Sequence, residues 1–495
     1  MLQSRISSSS HFLHATSPTP LIHSFPLSHH DPFNLYCNVA NASHPSFFLE
    51  SGKGNHAVAH YSFFGCDPFL VLSAKGHSYT LQTAHEVTHH WGDPLIALDE
   101  LAGPVRPPPT PDLPPFLGGA VGVLSYDLAR QFEPLPILAE DDLHFPDLCF
   151  LFIELLAAVD QHTQTLYVIF NPSFQRFLNL PREQLYHEGQ ARLAELEAKL
   201  FQSHQHPSRY SKPTLPITFH GEQSEAVYAK RVRQCQEFIE AGDIYQANLS
   251  HRFTVECSAT SQESCHDLGR WFYGQVRQVN PSPFSAILSL ETSTLVCNSP
   301  ERLVRLHGQR VDTRPIAGTR PRGASVQEDR QLIETLLSHP KERAEHLMLV
   351  DLARNDLGRV CRFGTVQVEE LMAVERYSHV AHLESTVSGL LQAGQGRSDL
   401  IRAMFPGGTI TGVPKVHCME LIEQLEPVRR GPYTGSIGYL SWTGAMDLNI
   451  IIRTLLLTQE RGYLQVGAGI VADSSPHREY EETIDKARAF FQAFL

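Results

Sequence analysis

Short runs of β-branched, aromatic and aliphatic residues follow one another along this chain without a helix between every pair. Seven such runs lie at 46–49, 70–73, 150–156, 165–170, 284–290, 294–297 and 448–457. Strict alternation of strand and helix produces a parallel sheet, whereas strands in succession pair antiparallel. The sequence therefore predicts an α+β fold, with large and mostly antiparallel sheets flanked by helices.

Helical periodicity and polar breaks divide the chain into four parts. Helix patterns occur at 182–201, 226–241, 327–337, 341–352 and 479–494. The polar, Pro-containing stretch 202–216 follows the first of them and is predicted to be a linker. We expect a disordered tail over 1–18, an N-terminal region over 19–201 and a C-terminal catalytic domain over 217–495.

Composition excludes several classes of protein. The 495 residues carry a formal net charge of −13 and no long basic run, which disfavours nucleic-acid binding. No apolar run approaches the ~20 residues of a membrane span. The nine cysteines form no CxxC pair, which favours a reducing compartment. We expect a cytoplasmic protein, and the Ser-rich start is also compatible with a plastid.

Carboxylates recur on two of the predicted helices. Glu342 and Glu345 share one face of the 341–352 pattern, and Glu482 lies four residues before Lys486 on the last helix. Magnesium favours one or two protein carboxylates and leaves its other positions to water and substrate. From the residues alone, a magnesium site and solvated surface charge both remain open.

Glu301 follows a strand and could act as a general acid if burial raised its pKa. Two further segments could hold a small acidic ligand. The segment 314–323 packs three Arg, two Pro and two Gly into a cationic turn, and 405–415 combines glycines and hydroxyls with Lys415. The second of these lacks the residues of a phosphate-binding P-loop. Surface salt bridges and ordinary loops are the alternative interpretations.

The order of these segments resembles the family of chorismate-utilising enzymes, which includes anthranilate synthase component I and aminodeoxychorismate synthase component I. Eight blocks carry the resemblance, at 242–253, 298–304, 314–323, 341–360, 405–421, 435–454, 467–474 and 479–487. Three more blocks lie at 47–52, 61–68 and 118–130. The resemblance implies an anthranilate synthase component I-like fold.

The resemblance also implies roles for individual residues. Glu345 and Glu482 match the Mg²⁺ ligands of the family, and Glu301 matches the general acid that protonates the leaving hydroxyl. His382 and Thr409 match its other catalytic positions. Positions that bind or line chorismate are matched by Gly318, Thr319, Tyr433, Arg453, Gly467, Ala468, Gly469 and Lys486. Ser51, which directly follows Glu50, matches a tryptophan pocket together with Pro283 and Phe284.

Local motifs favour one branch of the family. The segments YQANLS, PFSA, FPGGTITG and GSIGY resemble aminodeoxychorismate synthase component I, whereas anthranilate synthases more often carry FQVVLS-like and PAGTLSG-like versions. Ala317 disagrees, because many aminodeoxychorismate synthases have a covalently reacting Lys there and anthranilate synthases have Ala. We expect 4-amino-4-deoxychorismate, the precursor of 4-aminobenzoate and folate, as the product. Anthranilate, for tryptophan synthesis, is the alternative.

The source of nitrogen follows from the same resemblance. The chain has no GxCxG nucleophile block, so a separate glutamine amidotransferase subunit is expected to supply the ammonia. A separate aminodeoxychorismate lyase is expected to act on the product. A degenerate subunit that only binds its partner is the non-enzymatic alternative, which the complete set of matched residues disfavours.

Overall fold

The computed structural model describes residues 4–5, 9–27, 30–41, 44–52, 60–106, 112–202, 217–256, 264–279, 281–321, 325–376 and 380–492. The strands are β1 Ser4–Arg5, β2 Leu21–Pro26, β3 Ser46–Glu50, β4 Tyr61–Cys66, β5 Leu70–Lys75, β6 Ser78–Gln82, β7 Val87–Trp91, β8 Gly119–Leu124, β9 Leu148–Ile153, β10 Leu155–Asp160, β11 Thr165–Phe170, β12 Thr218–Gly221, β13 Gln246–Glu256, β14 Phe284–Ser289, β15 Ser293–Ser299, β16 Arg302–His307, β17 Arg310–Arg314, β18 Ile316–Pro321, β19 Gln367–Arg376, β20 Val380–Leu390, β21 Gly412–Val413, β22 Ser436–Ser441, β23 Met446–Asn449, β24 Thr454–Thr458 and β25 Gly462–Ile470.

The helices lie between these strands and pack on the outer faces of the sheets. They are α1 Ser9–Leu13, α2 Pro32–Val39, α3 Pro94–Ala102, α4 Phe174–Asn179, α5 Arg182–Leu200, α6 Glu225–Glu240, α7 Cys265–Val279, α8 Val326–Ser338, α9 Pro340–Gly358, α10 Arg397–Met404, α11 Lys415–Leu425 and α12 Pro476–Phe491. Two short 3-10 helices lie at Tyr126–Gln131 and Gly408–Ile410. No helix of the described residues is long and apolar enough to span a membrane.

Two large antiparallel sheets form the framework. Within the described ranges, the first has 13 strands in the order β1-β2-β11-β10-β4-β3-β14-β15-β24-β25-β13-β12, with β21 paired to β13. The second has 12 strands in the order β18-β20-β17-β16-β23-β22-β8-β9-β5-β6-β7, with β19 paired to β20. The predicted α+β class with mostly antiparallel sheets is confirmed.

Both sheets contain strands from both halves of the chain. In the first sheet β3 pairs with β14, and in the second β8 pairs with β22. The N-terminal region predicted over 19–201 and the catalytic domain over 217–495 are therefore not separate folding units, because neither completes a sheet alone. Of the predicted linker 202–216, only residue 202 lies within the described ranges.

The beginning of the chain differs from the predicted tail. Residues Ser9–Leu13 form α1, and the Phe12 ring is fully buried, 5.8 Å from the ring of Tyr186 on α5. Burial of this aromatic side chain against α5 contributes to holding the short helix in place. The prediction of disorder over 1–18 is therefore wrong for this segment.

The β-rich run predicted at 448–457 is two strands in different sheets. β23 ends at Asn449 in the second sheet, and β24 begins at Thr454 in the first. Between them the backbone turns at Arg453, which has a φ of +52°. This value is uncommon for a residue with a side chain. The crossing carries Arg453 to the edge of the first sheet.

Candidate active site

An open edge in the first sheet forms the floor of the candidate site. β24 pairs with β25 only between Leu455–Leu457 and Gly462–Leu464, whereas β25 continues to Ile470. On its other side β25 remains paired with β13 over its whole length. The backbone of Gly467, Ala468 and Gly469 can therefore meet a ligand on the side that β24 has left.

Gly467 has no room for a side chain. A Cβ atom on it would lie 2.4 Å from the side-chain oxygen of Asn248 and 2.7 Å from the hydroxyl of Tyr433. Both distances are below ordinary van der Waals contact, so the absence of a Cβ lets these two polar groups pack closely against the strand. Tyr433 is thus one of the predicted substrate-binding residues that the fold brings to this strand.

One predicted metal ligand borders the glycine segment, and the other is linked to it through Lys486. Glu345 on α9 accepts a hydrogen bond of 3.2 Å from the amide of Gln246, and its carboxylate lies 3.9 Å from the position of a Cβ on Gly469. Glu482 on α12 pairs with Lys486 at 2.7 Å, and Lys486 donates to the carbonyl of Gly467 at 2.8 Å. Residues more than a hundred positions apart in sequence thus meet at one strand.

Glu301 is a buried carboxyl group between β15 and β16. Its residue is 5% exposed, and its carboxylate accepts hydrogen bonds from the Thr409 hydroxyl, at 2.9 Å, and from the backbone amide of Ile316. Burial raises the pKa of Glu301 to about 8, because desolvation of the charged form outweighs these hydrogen bonds. Glu301 therefore holds a proton at neutral pH, as a general acid must.

His382 is a neutral imidazole on β20. It is 2% exposed, and burial lowers its pKa to about 4, with the positive charge of Arg453 acting in the same direction. The carbonyl of Gly318 accepts a hydrogen bond from the ring. At neutral pH His382 can therefore orient a ligand by hydrogen bonding but carries no charge.

The cationic turn predicted at 314–323 is largely a strand. β18 runs from Ile316 to Pro321 with a bulge between Ala317 and Thr319, and Thr319 pairs with His382. Gly318, at the bulge, has a φ of +69°. This conformation suits glycine and turns the strand where it passes His382.

Lys415, from the glycine-rich segment, does not reach the site as a free cation. Its ammonium group contacts the carboxylate of Asp356 at 2.6 Å and the carbonyl of Met404 at 3.2 Å. The expectation that Lys415 grips a ligand is therefore wrong, because a buried carboxylate on α9 neutralises it. From the same segment, Thr409 does meet Glu301.

Arg430 was not recognised from sequence, although it joins several walls of the site. It is 2% exposed and pairs with Glu426 at 2.7 Å. Its guanidinium also donates to the carbonyls of Ile410 and Asn248, at 2.8 Å and 2.6 Å. The Arg430 side chain thus holds together the turn that bears Thr409, the strand β13 and the residues next to Tyr433.

We expect Arg430→Met to lower the free energy of unfolding by about 3–5 kcal/mol, because it leaves the Glu426 carboxylate buried without its cation. The shift of the urea-unfolding midpoint, followed by circular dichroism, measures this loss. Arg429→Met is the matched control, since Arg429 reaches Asp141 only at 3.4 Å. A shift no larger than that of the control would contradict the importance of the buried pair.

A separate cavity contains the predicted tryptophan-pocket residues. It has a volume of about 450 Å³ and is lined by Ser51, Pro283 and Phe284, together with Glu50. Arg302 also lines it, directly after Glu301 in the chain, and lies 4.9 Å from the Phe284 ring. The cavity and the candidate active site therefore lie on opposite sides of one strand end.

Comparison with known proteins identifies the family. Residues 44–492 match the family described as chorismate binding enzyme. This chain belongs to that family. It is 41% identical to aminodeoxychorismate synthase component 1 of Bacillus subtilis over 447 residues, covering 90% of each chain. It is 42% identical to anthranilate synthase component 1 of Thermus thermophilus over 470 residues, covering 93% of this chain and 95% of that one.

A solved structure agrees with this membership. Anthranilate synthase component I from Streptococcus pneumoniae superposes with a TM-score of 0.74 at 34% identity, covering 88% of this chain and 95% of that chain. The predicted anthranilate synthase component I-like fold is confirmed. As a member of the chorismate binding enzyme family, the chain is an enzyme that acts on chorismate. Relatives of both branches are about equally similar, so similarity alone does not select the product.

Proposed function

We propose that the chain is the chorismate-aminating component of aminodeoxychorismate synthase. It would convert chorismate and ammonia to 4-amino-4-deoxychorismate and water, for 4-aminobenzoate and folate synthesis. The four motifs that resemble this branch select the product, and the observation that carries the chemistry on chorismate is Glu301, a buried acid with a pKa of about 8 that contacts Thr409. Such a group can deliver a proton to the hydroxyl that leaves chorismate.

Magnesium fits the residues at the open edge. Glu345 and Glu482 would hold it, since one carboxylate beside the glycine segment and a second one paired with the Lys486 that binds this segment suit a cation that keeps several waters. When bound, the cation would supply positive charge to a substrate carboxylate. Lys486 and Arg453 add cationic groups for the two carboxylates of chorismate. Gly318, Thr319, Tyr433, Gly467, Ala468 and Gly469 would line its ring.

Nitrogen would come from a glutamine amidotransferase subunit, in keeping with the name component 1 that both kinds of relative carry. A separate lyase would then release 4-aminobenzoate. Tryptophan would occupy the cavity at Ser51, Pro283 and Phe284, whose volume of about 450 Å³ suits a small ligand.

Anthranilate synthase is the second candidate, and Ala317 favours it. A methyl group cannot form a covalent bond to the chorismate ring, so para amination here would proceed by direct displacement. The four motifs that resemble aminodeoxychorismate synthase outweigh this single position.

One assay separates the two products. Purified protein is incubated with chorismate, magnesium and ammonium, and the fluorescence of the product is followed before and after addition of aminodeoxychorismate lyase. We expect 4-aminobenzoate to form only after the lyase is added. Anthranilate fluorescence without lyase would overturn the proposed product and establish the alternative.

A further inference from the structure

Gln246, at the start of β13, lies between the glycine segment of β25 and the carboxylate of Glu345. Its side-chain amide donates a hydrogen bond to Glu345 at 3.2 Å, and the same amide nitrogen lies 2.7 Å from the position of a Cβ on Gly469. Gln246 is 5% exposed. A side chain on Gly469 would displace the amide, so the glycine permits this contact. A neutral donor thus links one proposed metal ligand to the unpaired end of β25.

The backbone of Gln246 is fixed independently of this side-chain contact. Gln246 pairs with Val413 on β21, and its carbonyl accepts a hydrogen bond of 3.2 Å from the thiol of Cys418, which is fully buried. Gly412 packs so closely against the same carbonyl that a Cβ on it would lie 2.1 Å away. Strand pairing, the thiol and the close glycine all restrain the main chain, so the side chain of Gln246 leaves it from a fixed position.

The turn of α9 that bears Glu345 is anchored by the next residue in the chain. His346 is fully buried, and its Nε2 lies 2.6 Å from the Ser385 hydroxyl on β20. That hydroxyl oxygen also accepts a hydrogen bond of 2.9 Å from the backbone amide of Met372 on β19. The helix is therefore attached to two strands of the second sheet, while Glu345 reaches β13 of the first. The helix leaves the side-chain rotamer of Glu345 variable, and the hydrogen bond from Gln246 restrains it.

A carboxylate that binds a metal ion is itself held by hydrogen bonds, which orient it for the cation. The donor here is an uncharged amide, so its hydrogen bond restrains the carboxylate without cancelling the negative charge. We propose that Gln246 is a positioning residue for cation binding, because its amide holds the Glu345 carboxylate at the unpaired end of β25. Gln246 acts through Glu345 and does not touch the cation. This inference rests on the proposed function and adds the residue that orients one of its metal ligands.

Gln246→Met tests this role, because Met keeps the length of the side chain and removes the donor. We expect the dissociation constant for Mn²⁺, measured by electron paramagnetic resonance without chorismate, to rise by about tenfold or more. The magnesium concentration that gives half-maximal turnover should rise by a similar factor, whereas turnover at saturating magnesium should stay within about threefold of the native value. A rise in the cation constants with turnover retained separates an effect on the cation from a general loss of structure.

Gln465→Met is the matched control. Gln465 is 6% exposed, and its amide donates a hydrogen bond of 2.7 Å to the Ser250 hydroxyl rather than to a carboxylate. It lies on β25 four residues before Gly469, a distance of roughly 13 Å along an extended strand. The substitution removes the same kind of buried donor from the same sheet, so we expect the Mn²⁺ dissociation constant to stay within about twofold of the native value.

Two outcomes overturn this inference alone: a Mn²⁺ dissociation constant for Gln246→Met within about twofold of the native value, and an equal rise in Gln465→Met. If the Gln246→Met protein does not fold, Gln246→Asn replaces it with the same expected rise, because the shorter side chain keeps the amide but withdraws it from Glu345. Native protein that binds no Mn²⁺ would overturn the metal site of the proposed function together with this inference. Anthranilate as the native product would change the proposed product and leave this test intact.

Discussion

Replacing Glu301 with Gln is expected to lower kcat for ammonium-dependent turnover of chorismate by about 10²–10⁴-fold, with little change in KM for chorismate. Gln has the shape of Glu and can still accept the hydrogen bond from Thr409, but it has no acidic proton for the leaving hydroxyl. The measurement is steady-state turnover at saturating magnesium. The expected loss is confined to kcat because the proton is needed only as the C–O bond breaks.

The pH dependence provides a second readout of the same substitution. Burial raises the pKa of Glu301 to about 8, so the protonated acid predominates below that pH and is lost as the pH rises through it. We therefore expect kcat of the native enzyme to fall above pH 8. This fall in kcat should be absent from the Gln variant.

Glu154→Gln is the control for loss of a buried carboxylate. Glu154 is 2% exposed and pairs with Arg176 and Arg192, well outside the residues that surround Glu301. Its substitution should leave the fall of kcat above pH 8 unchanged. If Glu301→Gln retained more than a tenth of native kcat, Glu301 would not be the general acid.

Replacing Glu482 with Gln is expected to lower turnover by at least about a hundredfold and to weaken binding of the cation, since it removes one of two proposed ligands. Turnover is measured against magnesium concentration. Binding of Mn²⁺, followed by electron paramagnetic resonance in the absence of chorismate, reports the site without reference to activity. Glu345→Gln is expected to weaken Mn²⁺ binding in the same way.

Glu481→Gln is the matched control for this experiment. Glu481 is an exposed carboxylate next to Glu482 on the same helix, so its loss changes the net charge of α12 equally. It should leave Mn²⁺ affinity and turnover unchanged. Equal effects at Glu481 and Glu482 would indicate a general effect of charge, and native Mn²⁺ affinity in both Glu345 and Glu482 variants would contradict the assignment of the site.

Much of the local structure could be predicted from sequence because its signals are local. The hairpin predicted at 284–290 and 294–297 is formed by Phe284–Ser289 and Ser293–Ser299. The helix predicted at 341–352 is the N-terminal part of the longer Pro340–Gly358. Alternating apolar residues and helical periodicity depend only on neighbours in the chain.

Predictions failed where a residue's environment comes from distant parts of the chain. The run 448–457 is mostly apolar, and no local pattern indicates that it leaves one sheet for the other. Lys415 belongs to a glycine-rich segment typical of ligand binding, but Asp356, far away in sequence, neutralises it. Polar residues at alternate positions of β13 were a signal for Gln246, whereas nothing in sequence distinguished Arg430 from its neighbour Arg429.

The sequence by itself determined the family, the α+β class and the set of chemically capable residues, because motif order and periodicity are properties of the chain. Only the tertiary structure decided which of those residues meet and in which state of charge. The raised pKa of Glu301, the close packing of Asn248 and Tyr433 on Gly467, and the unpaired end of β25 all arise from burial and from strand pairing between distant segments. Desolvation and long-range pairing depend on the folded environment as a whole, so no local stretch of sequence contains them.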